Sequence, residues 1–298
     1  MSLTLERQQP LSTYEGWQTF VDARPLPEPE PLTKRQIRSL DDRARDEYDS
    51  ARRAFHRDTL VRTDQLRDAN DQLLDLLESN MQGVDRVKGA GVIDAPPGLG
   101  KSTTLNQFGR EFHRRQVARY GETMEDGALH IPVCRVWFAG RMTTKSLNGM
   151  IFDYYAHPAG RFRRRSATEH NLAATAAEAA VRHGTRLFIV DDIHFLKPRT
   201  NDGGQVANQL KWLANEYPVT FVFAGVDLNN SGILEEGRLL ETAQTARRWT
   251  RIPMSPFTVL TEEGDAEWKK LVKTVESRLV LGRVDQEVQA QGRRVSMV

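Results

Sequence analysis

The chain has 298 residues, enough for one full-sized domain with an appendage or for two small ones, and its 28% charged and 39% hydrophobic content is ordinary for a globular protein. The net charge of +2 is too small to announce a nucleic-acid partner by itself, so local clusters must carry that argument. No window approaches the run of about eighteen uncharged apolar residues that a membrane-spanning helix needs, and the opening MSLTLERQQP has no apolar signal core, so the expectation is a cytoplasmic protein with no membrane partner.

Residues 1–32 carry GWQTFVDARPLPEPEPLT, in which Pro25, Pro27, Pro29 and Pro31 prevent a regular helix and predict an extended arm of the kind that docks on a neighbour. From Thr33, an N-cap, Ile37, Leu40, Ala44, Tyr48, Ala51 and Phe55 fall three or four apart, which predicts one long amphipathic helix. A second helix is expected over 63–81, with Leu66, Leu73, Leu74 and Leu77 on its apolar face. Short apolar runs then alternate with helical stretches: strands at 91–95, 131–139, 186–190 and 219–225, helices at 101–120, 145–155, 168–183 and 205–217. Strands that are apolar throughout and separated by helices predict an α/β fold, a mainly parallel sheet covered on both faces. The single cysteine, Cys134, lies in the strand HIPVCRVWFA and reads as a buried side chain without chemistry. A helix over 235–246, a last strand at 249–254 and a helix over 262–281 complete the series. The expected division is an N-terminal arm and helix at 1–62, a core at 63–255 and a short helical lid at 256–298.

The strongest motif is Ala95-Pro96-Pro97-Gly98-Leu99-Gly100-Lys101-Ser102, which follows an apolar strand and opens a helix, as the P-loop pattern demands. Alanine stands where the first glycine is usual, a position that needs a small side chain more than it needs positive φ. Gly98 and Gly100 let consecutive amides turn inward on phosphates, and the positive end of the following helix adds to that field. Pro97 to Thr103 therefore form the candidate site for ATP, with Leu99 and Thr103 completing it: Lys101 reaches the β- and γ-phosphates and Ser102 ligates Mg²⁺. About ninety residues on, RLFIVDD is a strand ending in two carboxylates, which would set Asp191 beside that Mg²⁺ and Asp192 beside the attacking water. Aspartate at 192 is one methylene shorter than the usual glutamate, so the expectation is a slow ATPase, turning over no faster than about 1 s⁻¹. Asp227, after the strand VTFVFAG, is the candidate sensor of the γ-phosphate. Of the pair Arg247 and Arg248, the second is read as a finger inserted into a neighbouring subunit's ATP.

These residues together resemble the TniB/TnsC-type transposition ATPases of the AAA+ class, especially the actinobacterial versions. The resemblance covers most of the chain and is carried by GWQTF, DDRARDEYDSARRAFH, APPGLGKSTTL, IPVCRVWF, TTKSLNGMIF, VDDIHFL, NQLKWLANEYPVTFVFAGVDL and QTARRWTRIPMSPF, in that order. It implies an AAA+ P-loop ATPase fold with an N-terminal helical extension and a small C-terminal helical lid. It also implies an ATP-dependent regulator that forms rings or helical filaments of itself on double-stranded DNA, recruits a transposase and disassembles on hydrolysis. By that resemblance Arg248 is the finger, and the loop and helix start at 140–147 face DNA, with Thr143, Thr144 and Lys145 as phosphate contacts. The C-terminus departs from the family in lacking a longer helical continuation, so the lid is read as reduced or the chain as truncated.

Independently of any family, Arg161, Arg163, Arg164 and Arg165 crowd five positions and, with Arg141 and Lys145, are the residues that could line one electropositive groove. No base-reading helix-turn-helix is evident, so backbone contact without sequence preference is expected. Trp17, Trp137, Trp212, Trp249 and Trp268 read as core or interface anchors, and His194 as structural, since no second ligand stands at metal spacing. Two further readings remain open: a replication initiator or helicase loader, and a nucleotide-held protein scaffold without a DNA role.

Overall fold

In a computed structural model of the chain, the described residues are 9–82, 88–138, 140, 142–155, 169–195, 204–206, 208–210, 213, 219–228 and 249–281. Helix α1 (Tyr14–Asp22) precedes the prolines and buries Trp17 and Val21. The prolines themselves, between residues 23 and 32, carry no helix. Two helices follow, α2 (Lys34–Ser39) and α3 (Asp42–Asp58), where the periodicity predicts one. Thr33 starts α2 with a full capping box: its Oγ1 accepts from the Gln36 amide and its own amide donates to Gln36 Oε1. The predicted long helix breaks because Asp41 Oδ1 accepts the Ala44 amide at 2.8 Å and so caps a new helix, leaving Leu40 extended. The apolar spacing survives such a break, which is why periodicity alone runs across it.

The remaining elements are α4 (Asp64–Gln82), β1 (Ala90–Asp94), α5 (Lys101–Tyr120), β2 (Val133–Trp137), α6 (Thr144–Tyr155), α7 (Glu169–Arg182), β3 (Leu187–Asp191), a 3₁₀ turn (Ile193–Phe195), β4 (Thr220–Gly225), β5 (Trp249–Pro253) and α8 (Glu262–Arg278). Residues 204–206 and 208–210 are helical as well. The helix expected over 235–246 lies outside the described residues.

The five strands form one sheet in the order β2-β3-β4-β1-β5, and every pairing is parallel. Strands β3 and β4 are buried along their whole length, so their apolar side chains must be covered on both faces, and helices flank the sheet. Helix α4 packs against β1 and β5 with Leu66, Leu73 and Leu77 buried, and α5 packs against β2, β3 and β4 through Leu105, Phe108 and Phe112. Cys134 is fully buried in β2, where burial holds its thiol protonated by raising its pKa. In this order β4 and β3 lie to one side of β1 and β5 to the other, so chain leaving β1 crosses the sheet through α5. Ligands of open α/β sheets bind at the carboxyl ends of the strands at such a switch point.

The chain divides into two compact units. One comprises Met1–Asp22 and Asp64–Pro256, so that α1 joins the sheet; the other comprises Ala23–Thr63 and Phe257–Val298. Within the first, α1 lies on α5: the indole Nε1 of Trp17 donates to His113 Nδ1 at 3.1 Å, and Arg114 Nε donates to the Val21 carbonyl at 2.8 Å. This part of the predicted arm is therefore a helix seated on its own chain. Within the second, Tyr48 accepts the Leu32 amide and donates to the Glu30 carbonyl, which fastens the proline-rich stretch to α3. There, too, Arg52 Nε donates to the Val280 carbonyl and the Val280 amide donates to His56 Nε2, so the chain beyond α8 is tied to α3. Trp17 belongs to the core and Trp249 packs half-buried against it, whereas Trp137 and Trp268 are 43% and 44% exposed. Trp212 lies outside the described residues.

Candidate functional site

The loop from Ala95 to Gly100 leaves the end of β1 and enters α5. Its first residue is strapped to the neighbouring strand, the Ala95 amide donating to the Gly225 carbonyl at 3.3 Å. Gly98 and Gly100 both have φ of +84°, a region that costs other residues roughly 1–2 kcal/mol, so the loop's turn depends on glycine. A Cβ built on either would meet nothing within 4 Å. The space beside both glycines is thus open rather than packed with protein. Gly100 caps α5 without a side chain, leaving the first amides of that helix for an anion. Pro97 and Gly98 are exposed, as are Ser102 and Thr103 on the first turn of α5, while Leu99 is half-buried against the core.

Lys101 folds back over this loop. Its ammonium donates to the carbonyls of Ala95 at 2.7 Å and Pro96 at 2.8 Å, and the residue is only 8% exposed. Burial lowers its pKa, and the carboxylates of Asp191, Asp192 and Asp94 oppose that shift. A cation held against the carbonyls of this loop, with three carboxylates near enough to act on it, suits a polyanion accompanied by a divalent metal.

Asp191 ends β3, which β4 separates from β1, and is 4% exposed. One carboxylate oxygen accepts from Arg135 NH2 at 3.0 Å, and the other accepts the Asp192 amide at 3.0 Å. Arg135, on β2, is not among the residues to which the sequence motifs assign a role. A signal was there: a lone arginine inside the otherwise apolar strand VCRVW must find an anion once buried. Asp192 sits at φ +57°, where the short polar side chains of Asp and Asn are the best tolerated after glycine. Its side chain is 42% exposed, and His194 Nδ1 lies 3.8 Å from its Oδ1.

Asp227 follows β4 at φ +55° and is exposed. The turn that carries it is tied to the end of β1, since the Leu228 amide donates to Asp94 Oδ1 at 3.1 Å. Asp227 therefore stands at the same end of the sheet as the loop and the Asp191–Asp192 pair. Thr143 caps α6, its Oγ1 accepting the Ser146 amide at 3.1 Å and pairing with the Ser146 hydroxyl at 2.8 Å. Thr144 is half-buried in the first turn of α6, and Lys145 beside it is exposed. Arg141, Arg161, Arg163, Arg164, Arg165, Arg247 and Arg248 lie outside the described residues.

Residues 84–230 match the family model of an AAA domain. With the strand order above, this decides the architecture. The fold is that of an AAA+ P-loop ATPase. Among solved structures, the chain superposes on the Aeropyrum pernix ORC1 protein in complex with DNA with a TM-score of 0.51 and 14% identity, over 75% of this chain and 51% of that one. It thus spans about half the length of that protein. A Walker-type ATPase of Pyrococcus abyssi matches with a TM-score of 0.43 and 12% identity, over 79% of this chain and 63% of that one. Drosophila ORC bound to DNA matches with a TM-score of 0.37 and 15% identity, over 66% of this chain and 98% of that one. No curated protein matches the chain. Among the described residues, no helix is long and apolar enough to cross a membrane.

Proposed function

We propose that this AAA+ chain binds ATP with Mg²⁺, hydrolyses it slowly, and uses the nucleotide state to govern its own assembly on double-stranded DNA in the service of transposition. The observation that carries the nucleotide part is the open, doubly left-handed loop closed by Lys101, with Asp191 buried at the end of β3. In this reading the loop amides and the start of α5 grip the triphosphate, while Lys101 exchanges the Ala95 and Pro96 carbonyls for phosphate oxygens. Ser102 and Asp191 would hold the metal, whose chemistry when bound is neutralisation of triphosphate charge. Asp192 orients the attacking water, Asp227 senses the terminal phosphate, and Arg248 reaches a neighbouring subunit's nucleotide.

The DNA part rests on the resemblance to the TniB/TnsC-type regulators. Thr143, Thr144 and Lys145 at the start of α6, with Arg141 and the arginines at 161–165, are the proposed backbone contacts. Because the Thr143 hydroxyl already caps the helix, its contribution to a phosphate would come through the amides that it leaves oriented. A second reading, a replication-initiator-like ATPase, draws on the match to an ORC1 protein solved with DNA.

Calorimetry with ATP and Mg²⁺ tests the nucleotide part, with Lys101→Ala as the variant expected to lose binding at least tenfold. Wild-type protein that ignores adenine nucleotides would refute the whole proposal. Electron microscopy with ATP and plain duplex tests the rest: filaments or rings on DNA favour the transposition reading, preference for single strands or a helicase favours the initiator reading, and no DNA dependence leaves a protein scaffold. If some four basic residues neutralise phosphates, log K should fall with log salt at a slope of roughly −3 to −4 for each bound subunit.

A further inference from the structure

Strand β2 is apolar apart from Arg135, whose side chain is only 11% exposed. A guanidinium does not shed its proton in a protein, so a cation buried there has to be matched by acceptors. Two elements supply them. Its Nε donates to Asn106 Oδ1 at 2.7 Å and its NH2 donates to Asp191 Oδ2 at 3.0 Å. Asn106 stands four residues after Ser102 on α5, so the arginine bridges the helix that opens from the phosphate loop and the strand that ends in the carboxylate pair. Asp191 is held from both sides, since its other oxygen accepts the Asp192 amide at 3.0 Å.

The charge of this cluster has a direct consequence for metal. A carboxylate beside a permanent cation is already neutralised, so a divalent ion arriving alone gains little from Asp191 and is repelled by the guanidinium. A triphosphate in the adjacent loop changes the balance by adding negative charge. Each carboxylate oxygen has a second lone pair, so Arg135 need not leave for a metal to be served.

We propose that Arg135 is a positioning residue that orients Asp191 and withholds it from free divalent metal until a nucleoside triphosphate occupies the loop. The inference rests on the reading of Asp191 as a metal ligand. Metal uptake is thereby ordered: triphosphate and metal enter together, and the empty site stays empty of metal.

Electron paramagnetic resonance of Mn²⁺ with purified protein tests it without reference to turnover. Wild-type protein should bind Mn²⁺ tightly only when ATP is present. Arg135→Gln should bind Mn²⁺ without nucleotide at least tenfold more tightly than wild type, and Arg135→Lys should not. Adding Asp191→Asn should abolish the gain. A gain that depends on Asp191 is a result that loss of packing does not produce. Should Arg135→Gln fail to fold, Asn106→Asp carries the test from a half-buried position: a second carboxylate on Arg135 offsets its charge and should tighten nucleotide-free Mn²⁺ binding about fivefold. The inference is overturned if the folded variants bind free Mn²⁺ no better than wild type while wild type takes up Mn²⁺ with ATP. If wild type takes up no Mn²⁺ even with ATP, the metal reading of Asp191 fails first and the inference falls with it.

Discussion

The seat of α1 on α5 gives the stability of the sheet-bearing unit a pH dependence that can be worked out from one histidine. His113 is buried and accepts the indole proton of Trp17 at Nδ1, so in the folded protein the ring is neutral with its proton on Nε2. Burial first, and then the charge of His130, lower its pKa from 6.5 to about 4, with Asp22 opposing the shift. In the unfolded chain the ring titrates near 6.5, so between the two values the unfolded state binds the extra proton and stability rises with pH. The contribution is fully present above about pH 6.5 and is lost as pH falls toward 4. At about 1.4 kcal/mol per unit the full loss comes to about 3.5 kcal/mol, of which about 2 kcal/mol falls between pH 7 and pH 5. Carboxylates elsewhere titrate over part of the same range, so the quantity to measure is a difference between proteins. Urea unfolding of wild type and His113→Asn, whose amide oxygen can still accept the indole proton but does not titrate, should be run at pH 7, 6 and 5. The stability of wild type relative to the variant should drop by about 2 kcal/mol from pH 7 to pH 5. Curves that stay parallel to within about 0.5 kcal/mol, well below one pKa unit of linkage, would refute the reasoning.

The same junction predicts that Gly109→Ala destabilises the unit by about 1–3 kcal/mol, because the added methyl would meet Ile189 Cδ1 at 2.5 Å and the Trp17 ring at 2.9 Å; thermal or denaturant midpoints read this directly. Asp192→Asn should keep the backbone at φ +57°, where asparagine is equally at ease, and so preserve folding and nucleotide binding while cutting turnover by about 10²–10⁴-fold; a phosphate-release assay beside nucleotide titration separates the two effects. Arg248→Ala should leave ATP binding intact and remove ATP-dependent assembly, read by sedimentation with nucleotide and duplex. Assembly unchanged in that variant would take the finger role from it.

Much of the candidate site's loop could be read in the order of residues because its parts are local. The glycines at 98 and 100 and the lysine that closes the loop lie within four positions, and the geometry they need is made by the backbone between them. Thr33 and Gln36 announce a capping box for the same reason: both partners lie within one helical turn. Asp41 shows the limit, since its cap divides a helix that the apolar spacing alone would continue.

What the order of residues could not decide is which strand lies beside which. Parallel strands are joined through helices, so Asp94 pairs with Gly225 and Cys134 with Phe188 across long stretches of chain, and no neighbouring residue encodes that choice. The order β1-β4-β3 sets Asp191 near enough to Lys101 for its carboxylate to favour the charged ammonium, and the pairing of β2 with β3 is what places Arg135 on that carboxylate. Trp17 likewise finds His113 only once α1 has docked. Local hydrogen bonds and backbone preferences act over a few residues and are written in them. Partners for buried charge and buried indole are supplied by packing of the whole sheet, and that is why the site's ion pair and its helical seat belonged to the tertiary structure.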